Sequence, residues 1–166
     1  MRLVYLKHAL DELSPGQRIF FARQIRLLTQ DDLSDKLGIT GDNKRRTITK
    51  YEKVEINPKE GRTRIIADIL KVNYNAIKFY DYKNPIDIVY TLMWLEELIS
   101  SIKIELPEMK QYKEKDLLII QKEIHEWNLM KSKRQQREIT YKDYIEWKLT
   151  YNFEEREVNP QTLTIN

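Results

Sequence analysis

The stretch "LTQDDLSDKLGITGDNKRRTITKYE", residues 28–52, has the pattern of two short helices separated by a wide break. Gly38 and Gly41 lie within this break, and glycine is typical of the turns at which helices end. Three cations follow the break at the start of the second helix: Lys44, Arg45 and Arg46. A short helix, a long turn and a basic helix therefore form the centre of the predicted fold.

Length and composition favour a helical protein. A chain of 166 residues suits one domain, or one small domain with an extension. Hydrophobic residues make up 41% of the sequence, which is enough for a core, whereas four Gly and five Pro are too few for a many-turned β-sandwich or barrel. Apolar residues recur at helical spacing, and we therefore predict an all-α fold.

The residue inventory limits the metal chemistry and the location that we expect. The sequence contains no Cys, which excludes disulfides and thiolate metal sites. The first residues, "MRLVYLKHALDEL", are too short and too charged for a signal peptide, and no apolar run approaches the roughly 18 residues of a membrane span. We therefore expect a cytoplasmic protein that does not enter a membrane.

Catalytic chemistry has little support in the sequence. The two histidines, His8 and His125, are far apart, and "EIHEW" lacks the second histidine of a helical zinc motif. No Gly-rich phosphate loop is present. Two acidic pairs on the C-terminal helices are expected to be helix-surface carboxylates: Glu96 with Glu97, and Glu123 with Glu126. We expect neither enzyme activity nor a cofactor.

The net charge of +3 is distributed unevenly along the chain. Residues 1–84 contain 17 Lys and Arg against 11 Asp and Glu, whereas residues 85–166 contain 12 against 15. The densest segment, residues 44–64, contains eight cations and three anions. A positive field of this kind attracts polyanions and indicates a nucleic-acid surface; an ordinary solvated helical surface is the alternative.

Helical periodicity and capping residues divide the N-terminal half into segments. Four leucines share one helical face and predict a helix over the first dozen residues: Leu3, Leu6, Leu10 and Leu13. Five more helices are predicted before Pro85, with Ser14, Thr29 and Asn75 as N-caps of the first, second and fifth. The third is expected from Lys44 to Val54. The fourth should bury Ile65, Ile66, Ile69 and Leu70, and the fifth contains Ile77, Phe79 and Tyr80.

Residues 85–166 predict a second unit of three amphipathic helices. The first begins at Pro85 and is apolar around most of its girth, so it must be buried. The second spans 113–137, Thr140 caps the third, and 152–166 is expected to be a loose tail. Three tryptophans lie on these helices: Trp94, Trp127 and Trp147. Such aromatics most often form a core; a dimer seam or partner groove is the alternative.

Residues 17–81 resemble the helix-turn-helix domain of the lambda-repressor/Cro (Xre) family. The matching features are an arginine-rich first helix, "LTQDDL", "KLGI", "TITKYE", Pro58 six places after Glu52, and "IIADILKV". The resemblance implies that residues 1–84 form a DNA-binding domain. Residues 85–166 resemble no family that we can name, and we expect them to supply dimerisation or partner binding.

The resemblance implies that the third helix enters the major groove of double-stranded DNA. The positions around the buried Ile48 that would contact bases are occupied by Arg45, Arg46, Thr49 and Lys50. An arginine guanidinium can donate two hydrogen bonds to the O6 and N7 atoms of guanine, so guanine contacts are expected. The alternative is that these arginines bind only phosphate.

The resemblance also implies a set of phosphate contacts. Gln30 occupies a position at the start of the second helix that family members place against a phosphate, helped by the exposed backbone N–H groups there. The other candidates are cations before, after and beyond the third helix: Lys44, Lys53, Lys59, Arg62 and Arg64. For each of them, solvation without a DNA contact is the alternative.

Arg23 and Glu52 occupy the positions at which the family pairs an arginine of the first helix with a glutamate of the third. The implied role of this pair is structural, because it would tie the first helix to the third and fix the angle of the third. Both residues are therefore excluded from the expected DNA contacts.

The sequence departs from the family pattern at two places. Gly38 and Ile48 are ten positions apart where the usual pattern has six, so four residues are inserted within 41–44. The insertion would either lower the third helix towards the groove or add a loop whose Gly41 amide and Lys44 side chain reach phosphates. Lys53-Val54 replaces a common Asn-Gly, and the loss of the glycine is expected to lengthen the third helix.

Two classes of function remain open. The first is a sequence-specific transcriptional regulator of the kind carried by bacteria, phages and mobile elements, forming a homodimer through its C-terminal helices. The second is a protein-binding module on a helix-turn-helix scaffold, such as an antitoxin or a phage-encoded inhibitor of a host nuclease, in which DNA binding is only autoregulatory. The basic third helix favours the first class, and the long C-terminal extension keeps the second open.

Overall fold

The computed structural model describes residues 13–99 and 115–153, and these residues form eight helices and no strand. The predicted all-α fold is therefore confirmed. The helices are α1 (Pro15–Ile25), α2 (Gln30–Lys36), α3 (Arg45–Glu52), α4 (Glu60–Leu70), α5 (Tyr74–Ile77), α6 (Pro85–Leu98), α7 (Lys115–Gln135) and α8 (Tyr141–Thr150). The helix predicted for the first dozen residues, and the predicted tail beyond residue 153, lie outside the described residues. None of the helices in the described ranges is long and apolar enough to cross a membrane.

Local capping chemistry explains where several helices begin. The Ser14 hydroxyl accepts a hydrogen bond from the Gln17 N–H at 3.2 Å, and Pro15 occupies the first position of α1. Thr29 starts α2 and Thr140 starts α8, each in a reciprocal capping box with an aspartate three residues later. The predictions of Ser14, Thr29 and Thr140 as N-caps are thus confirmed.

Three predictions about the fourth and fifth helices are wrong. The cap of α5 is Asn73 rather than Asn75, because the Asn73 side chain accepts the Asn75 N–H at 2.8 Å. The helix then ends at Ile77, and Phe79 is 66% exposed beyond it. On α4, Ile65 is 49% exposed instead of buried, because Thr63, Ile66 and Ala67 occupy the inner face.

One hydrophobic core extends across the predicted boundary at residue 84. The ring of Phe21 on α1 packs edge-on against Trp94 on α6, with 5.5 Å between the ring centroids. The Trp94 indole N–H also donates to the Ala76 carbonyl oxygen at 3.1 Å. Burial of such large aromatic surfaces stabilises both parts together, so α6 completes the core that α1 and α5 begin.

Arg26 joins three parts of the fold at the C-terminal end of α1. Its guanidinium donates to the carbonyl oxygens of Leu70 at 2.7 Å and Lys71 at 3.0 Å, which lie at the end of α4. The same group pairs with both carboxylate oxygens of Glu146 on α8, at 2.5 and 2.8 Å. The last helix is therefore held directly against the ends of α1 and α4.

A buried polar cluster holds α6, α7 and α8 together. The Lys148 ammonium lies 2.6 Å from a carboxylate oxygen of Glu96 and 2.6 Å from one of Glu97. The Tyr144 hydroxyl donates to Glu96 at 2.6 Å, and the Trp127 indole N–H donates to Tyr144 at 2.7 Å. Burial alone would raise the pKa of Glu96, but the Lys148 charge and the hydrogen bonds from its neighbours outweigh burial and lower that pKa.

The expectation that these carboxylates lie on the helix surface is wrong for three of them. Glu96, Glu97 and Glu123 are buried, whereas Glu126 is partly exposed. Trp94 and Trp127 are fully buried in the core, and Trp147 is partly buried against it. The aromatic residues of the C-terminal helices therefore serve packing first.

Candidate nucleic-acid interface

Helix α3 has one buried face and one basic face. Ile48 is fully buried and Tyr51 nearly so. The residues outside the buried face are exposed or half-buried: Arg46, Lys50 and Lys53 lie opposite Ile48 at helical spacing, and Arg45 and Thr49 lie at the edge. No carboxylate in the described ranges forms an ion pair with these four cations. Their charge is therefore not neutralised locally, and the helix presents a positive surface to solvent.

The length of α3 is set by Val54. The helix ends at Glu52, and Val54 has a φ of 61°, so it takes the left-handed conformation that glycine would normally supply. The expectation that the loss of glycine lengthens this helix is wrong. A left-handed conformation costs a β-branched residue roughly 1–2 kcal/mol, a cost that the surrounding packing must offset.

Arg23 of α1 and Glu52 of α3 form a bidentate ion pair. The Arg23 Nε and Nη2 atoms lie 2.6 and 3.0 Å from the two carboxylate oxygens of Glu52, and both side chains are 5% exposed. The remaining nitrogen of the guanidinium, Nη1, donates to the Leu28 carbonyl oxygen at 2.6 Å. The two residues that the sequence predicts as a pair are thus in contact, and the contact ties α1 and the α1–α2 turn to the end of α3.

Gln30 extends this network to the basic face of α3. Its amide nitrogen donates to Glu52 at 2.7 Å, and its amide oxygen accepts from the Thr49 hydroxyl at 2.9 Å. Gln30, predicted to contact phosphate, and Thr49, predicted to contact a base, are therefore bonded to each other. In this conformation both polar ends of the Gln30 side chain are used within the protein.

The close approach of α1 to α3 depends on Gly16, which sequence reasoning missed. A β-carbon built on Gly16 would lie 1.7 Å from the Tyr51 carbonyl oxygen. No other residue type leaves room for the main chain of α3 here. The available sequence signal was a glycine in the first turn of a helix, a position where its low helix propensity calls for a packing reason.

The long turn before α3 ends at Lys44, which already has an acidic partner. Its ammonium lies 2.6 Å from the nearer carboxylate oxygen of Asp35. The hydrogen bond to Asp35, opposed by partial desolvation, raises the pKa of Lys44. Gly41 is exposed in the turn with a φ of 101°. Of the two phosphate candidates at the insertion, Lys44 is paired with a carboxylate, whereas Gly41 is an exposed main-chain position.

The cations beyond α3 differ in how they are engaged. Lys59, which precedes α4, is exposed and forms no ion pair with a described carboxylate. The Arg62 guanidinium donates to the Leu37 carbonyl oxygen at 3.4 Å, at the end of α2. Arg64 pairs with Glu60 at 2.8 Å and lies over the ring of Tyr74. Arg62 and Arg64 thus have internal partners, whereas Lys59 does not.

A shallow depression of about 500 Å³ lies beside the basic face. Gln30 and Arg45 line it, together with Thr29 and Asp31 at the start of α2. The described residues contain no group of three His, Asp or Glu side chains placed to hold a metal ion.

No family model matches this sequence, and no curated protein or solved structure is detectably similar to it.

Proposed function

We propose that the protein is a sequence-specific double-stranded DNA-binding regulator of transcription, in which α2, the long turn and α3 form a helix-turn-helix unit. The observation that carries this proposal is the basic face of α3, whose four cations have no carboxylate partner among the described residues. The major groove of B-form DNA is about 12 Å wide and admits such a helix. The network of Arg23, Glu52 and Gln30 supports the proposal, because it ties α3 to α1 and α2 through charged and amide hydrogen bonds.

The free cations divide into two proposed roles. Arg45, Arg46 and Lys50 project from the outer face of α3, with Thr49 between them, and are assigned to base edges or to the phosphates that flank the groove. Lys53 and Lys59 follow α3 and are assigned to phosphates. Lys44, Arg62 and Arg64 have internal partners, so each would have to exchange a protein contact for a DNA contact.

This division fixes the expected salt dependence. Five of the candidate DNA-contacting cations form no ion pair with a described carboxylate: Arg45, Arg46, Lys50, Lys53 and Lys59. Each contact with phosphate releases about 0.9 counterion from B-form DNA. About five such contacts predict a slope of roughly −4 to −5 in a plot of log affinity against log salt. Recruitment of the three partnered cations would make the slope steeper.

The test is selection of bound duplexes from a random pool at stated salt, followed by titration of the winning duplex. Arg46→Ala should weaken the selected duplex by roughly 1–3 kcal/mol and relax preference at one base pair, whereas Lys59→Ala should weaken all duplexes and reduce the slope by about one. Lys142→Ala, an exposed cation on α8, is the matched control and should change neither. A complex insensitive to salt, or no complex at low salt, would refute the proposal.

A second candidate is the protein-binding module, with DNA binding only autoregulatory. Exposed apolar side chains around the start of α6 favour it: Phe79 is 66%, Tyr82 58% and Ile88 38% exposed. The Tyr82 hydroxyl lies 3.4 Å from that of Thr91, so this side chain reaches α6. A second copy of the chain or a nuclease partner would bury this surface. Measurement of the molar mass of the purified protein in solution, beside the Tyr82→Ser variant, distinguishes a homodimer that uses this surface from a monomer.

A further inference from the structure

The long turn between α2 and α3 is anchored at Lys44 by two consecutive residues of α2. Ser34 is fully buried, and the single hydrogen of its hydroxyl is shared between the Lys44 carbonyl oxygen at 3.1 Å and that of Gln30 at 2.8 Å. Asp35 holds the other end of the same lysine, with its carboxylate oxygens 2.6 and 2.7 Å from Nζ. The main chain and the side chain of the residue directly before α3 are thus both tied to α2.

The segment before this anchor is joined to the start of α3 by main-chain turn bonds: the Lys44 N–H donates to the Gly41 carbonyl oxygen at 3.1 Å, and the Arg46 N–H to that of Asn43 at 2.9 Å. Gly38 and Gly41 have positive φ angles of 70° and 101°, and residues 40–43 are exposed. Lys44, at the N-cap of α3, makes no side-chain capping hydrogen bond to that helix. The bonds from Ser34 and Asp35 are therefore the described side-chain contacts that hold Lys44, directly before α3, to α2, while the ion pair of Glu52 holds the other end of the helix.

We propose that Ser34 and Asp35 are positioning residues that set the angle at which Arg45 and Arg46 meet DNA, and so influence sequence preference without touching DNA. This inference rests on the proposed DNA binding of α3. It gives Lys44 a different role from the phosphate contact expected from the sequence. The lysine fastens the turn, and because Asp35 already neutralises it, it adds little to counterion release.

The two contacts are expected to contribute unequally. The Lys44 and Asp35 side chains are 32% and 58% exposed, and ion pairs in that environment contribute little to stability. The Ser34 hydroxyl lies out of contact with water, so removing it leaves the Lys44 carbonyl oxygen without that donor. Ser34 should therefore have the larger effect on the position of α3, and Asp35 the larger effect on charge.

The experiment compares two variants with two controls from the turn itself. Ser34→Ala removes the hydroxyl that contacts Lys44, and its control, Thr40→Ala, removes a hydroxyl that forms no described contact. Asp35→Asn removes the charge that pairs with Lys44, and its control, Asp42→Asn, removes an exposed charge without a described partner. Each protein is titrated, at several salt concentrations, with a duplex selected by the unmodified protein and with a scrambled duplex of equal length. Thermal unfolding of each variant is measured alongside.

The expected result is a change in preference rather than in general affinity. Ser34→Ala should weaken the selected duplex by roughly three- to tenfold, the worth of one hydrogen bond, and leave the scrambled duplex unchanged. Asp35→Asn should also lower the ratio of the two affinities, while strengthening the scrambled duplex and steepening its salt slope by up to about one as Lys44 is released. Thr40→Ala should keep the ratio, and Asp42→Asn should shift both duplexes equally.

Four outcomes would overturn the inference. A preserved ratio in Ser34→Ala, or an equal fall in Thr40→Ala, would refute the positioning role while DNA binding stands. Stronger binding of both duplexes by Asp35→Asn at a constant ratio would make Asp35 only a competitor for Lys44. Failure of the unmodified protein to select any duplex would overturn the proposed function as well. Should Ser34→Ala fail to fold, Asp35→Asn, a change at an exposed position, decides the question.

Discussion

Replacing Gly16 by alanine is expected to destabilise the protein, because α1 lies against the main chain of α3 at this point. The added β-carbon would lie 1.7 Å from the Tyr51 carbonyl oxygen and 2.7 Å from the carbonyl carbon. Carbon and oxygen atoms meet at about 3.3 Å even in their closest favourable contacts. The two helices would therefore have to separate by more than about 1 Å.

The magnitude follows from what can move. Overpacking a core contact costs roughly 1–3 kcal/mol, and the upper part of this range applies because the obstacle is backbone and not the end of a side chain. The higher helix propensity of alanine offsets up to about 1 kcal/mol. A net loss of about 2 kcal/mol lowers the Tm of a chain of this size by roughly 4–8 °C.

The assay is thermal unfolding followed by circular dichroism, with Gly61→Ala as the matched control. Gly61 is also in the first turn of a helix, α4, but an added β-carbon there would meet no atom within 4 Å. The control should therefore melt at or slightly above the parent. If Gly16→Ala melted as high as Gly61→Ala, the close approach of α1 and α3 would not be a constraint, and the reasoning would be refuted.

Three further predictions concern buried charge. Arg23→Ala or Glu52→Ala should cost roughly 3–5 kcal/mol in chemical unfolding, because the partner is left buried without a counter-charge, and should also weaken DNA binding. A variant that melts like the parent and loses only DNA affinity would place that residue in the interface. Lys148→Met should cost a similar amount, because it leaves Glu97 without a counter-charge and Glu96 with only Lys131, at 3.1 Å; unchanged stability would contradict the role of the cluster. The pKa of Glu96 is lowered in the folded state, so the contribution of Glu96 to the free energy of unfolding is complete above the ordinary pKa of 4.5 and is lost as pH falls through the lowered pKa. Glu96→Gln should therefore flatten the acid limb of the curve of stability against pH. A limb as steep as that of the parent would count against this assignment.

The elements that sequence reasoning predicted correctly depend on neighbours in the chain. Ser14, Thr29 and Thr140 cap their helices through residues three positions away, and such a contact is visible in the sequence itself. The inward positions of Ile48 and Tyr51 follow from helical periodicity in the same way. The same local argument failed at Asn73 and Asn75, because either asparagine can start a helix and only the observed hydrogen bond distinguishes them.

The features that sequence reasoning missed depend on contacts between distant residues. Glu96 and Lys148 are 52 positions apart, so nothing local shows that the carboxylate is buried rather than solvated. The need for Gly16 arises from a main chain 35 positions away. Asp35, nine positions before Lys44, neutralises a cation that charge counting alone assigns to DNA. A basic segment in a sequence therefore gives an upper limit to the free positive charge.

Arg23 and Arg26 lie three positions apart on α1, and they bind carboxylates in opposite halves of the chain. Arg23 pairs with Glu52 beside the basic face, whereas Arg26 pairs with Glu146 on the last helix. A chimaera that kept residues 1–84 and took a foreign C-terminal half would leave Arg26 without its carboxylate and Phe21 without the indole that covers it. The net charge of the sequence changes from positive to negative at residue 84, but this position is a poor crossover point for recombination. The two halves share a core and an ion pair, so an exchange of one half alone is expected to destabilise the fold.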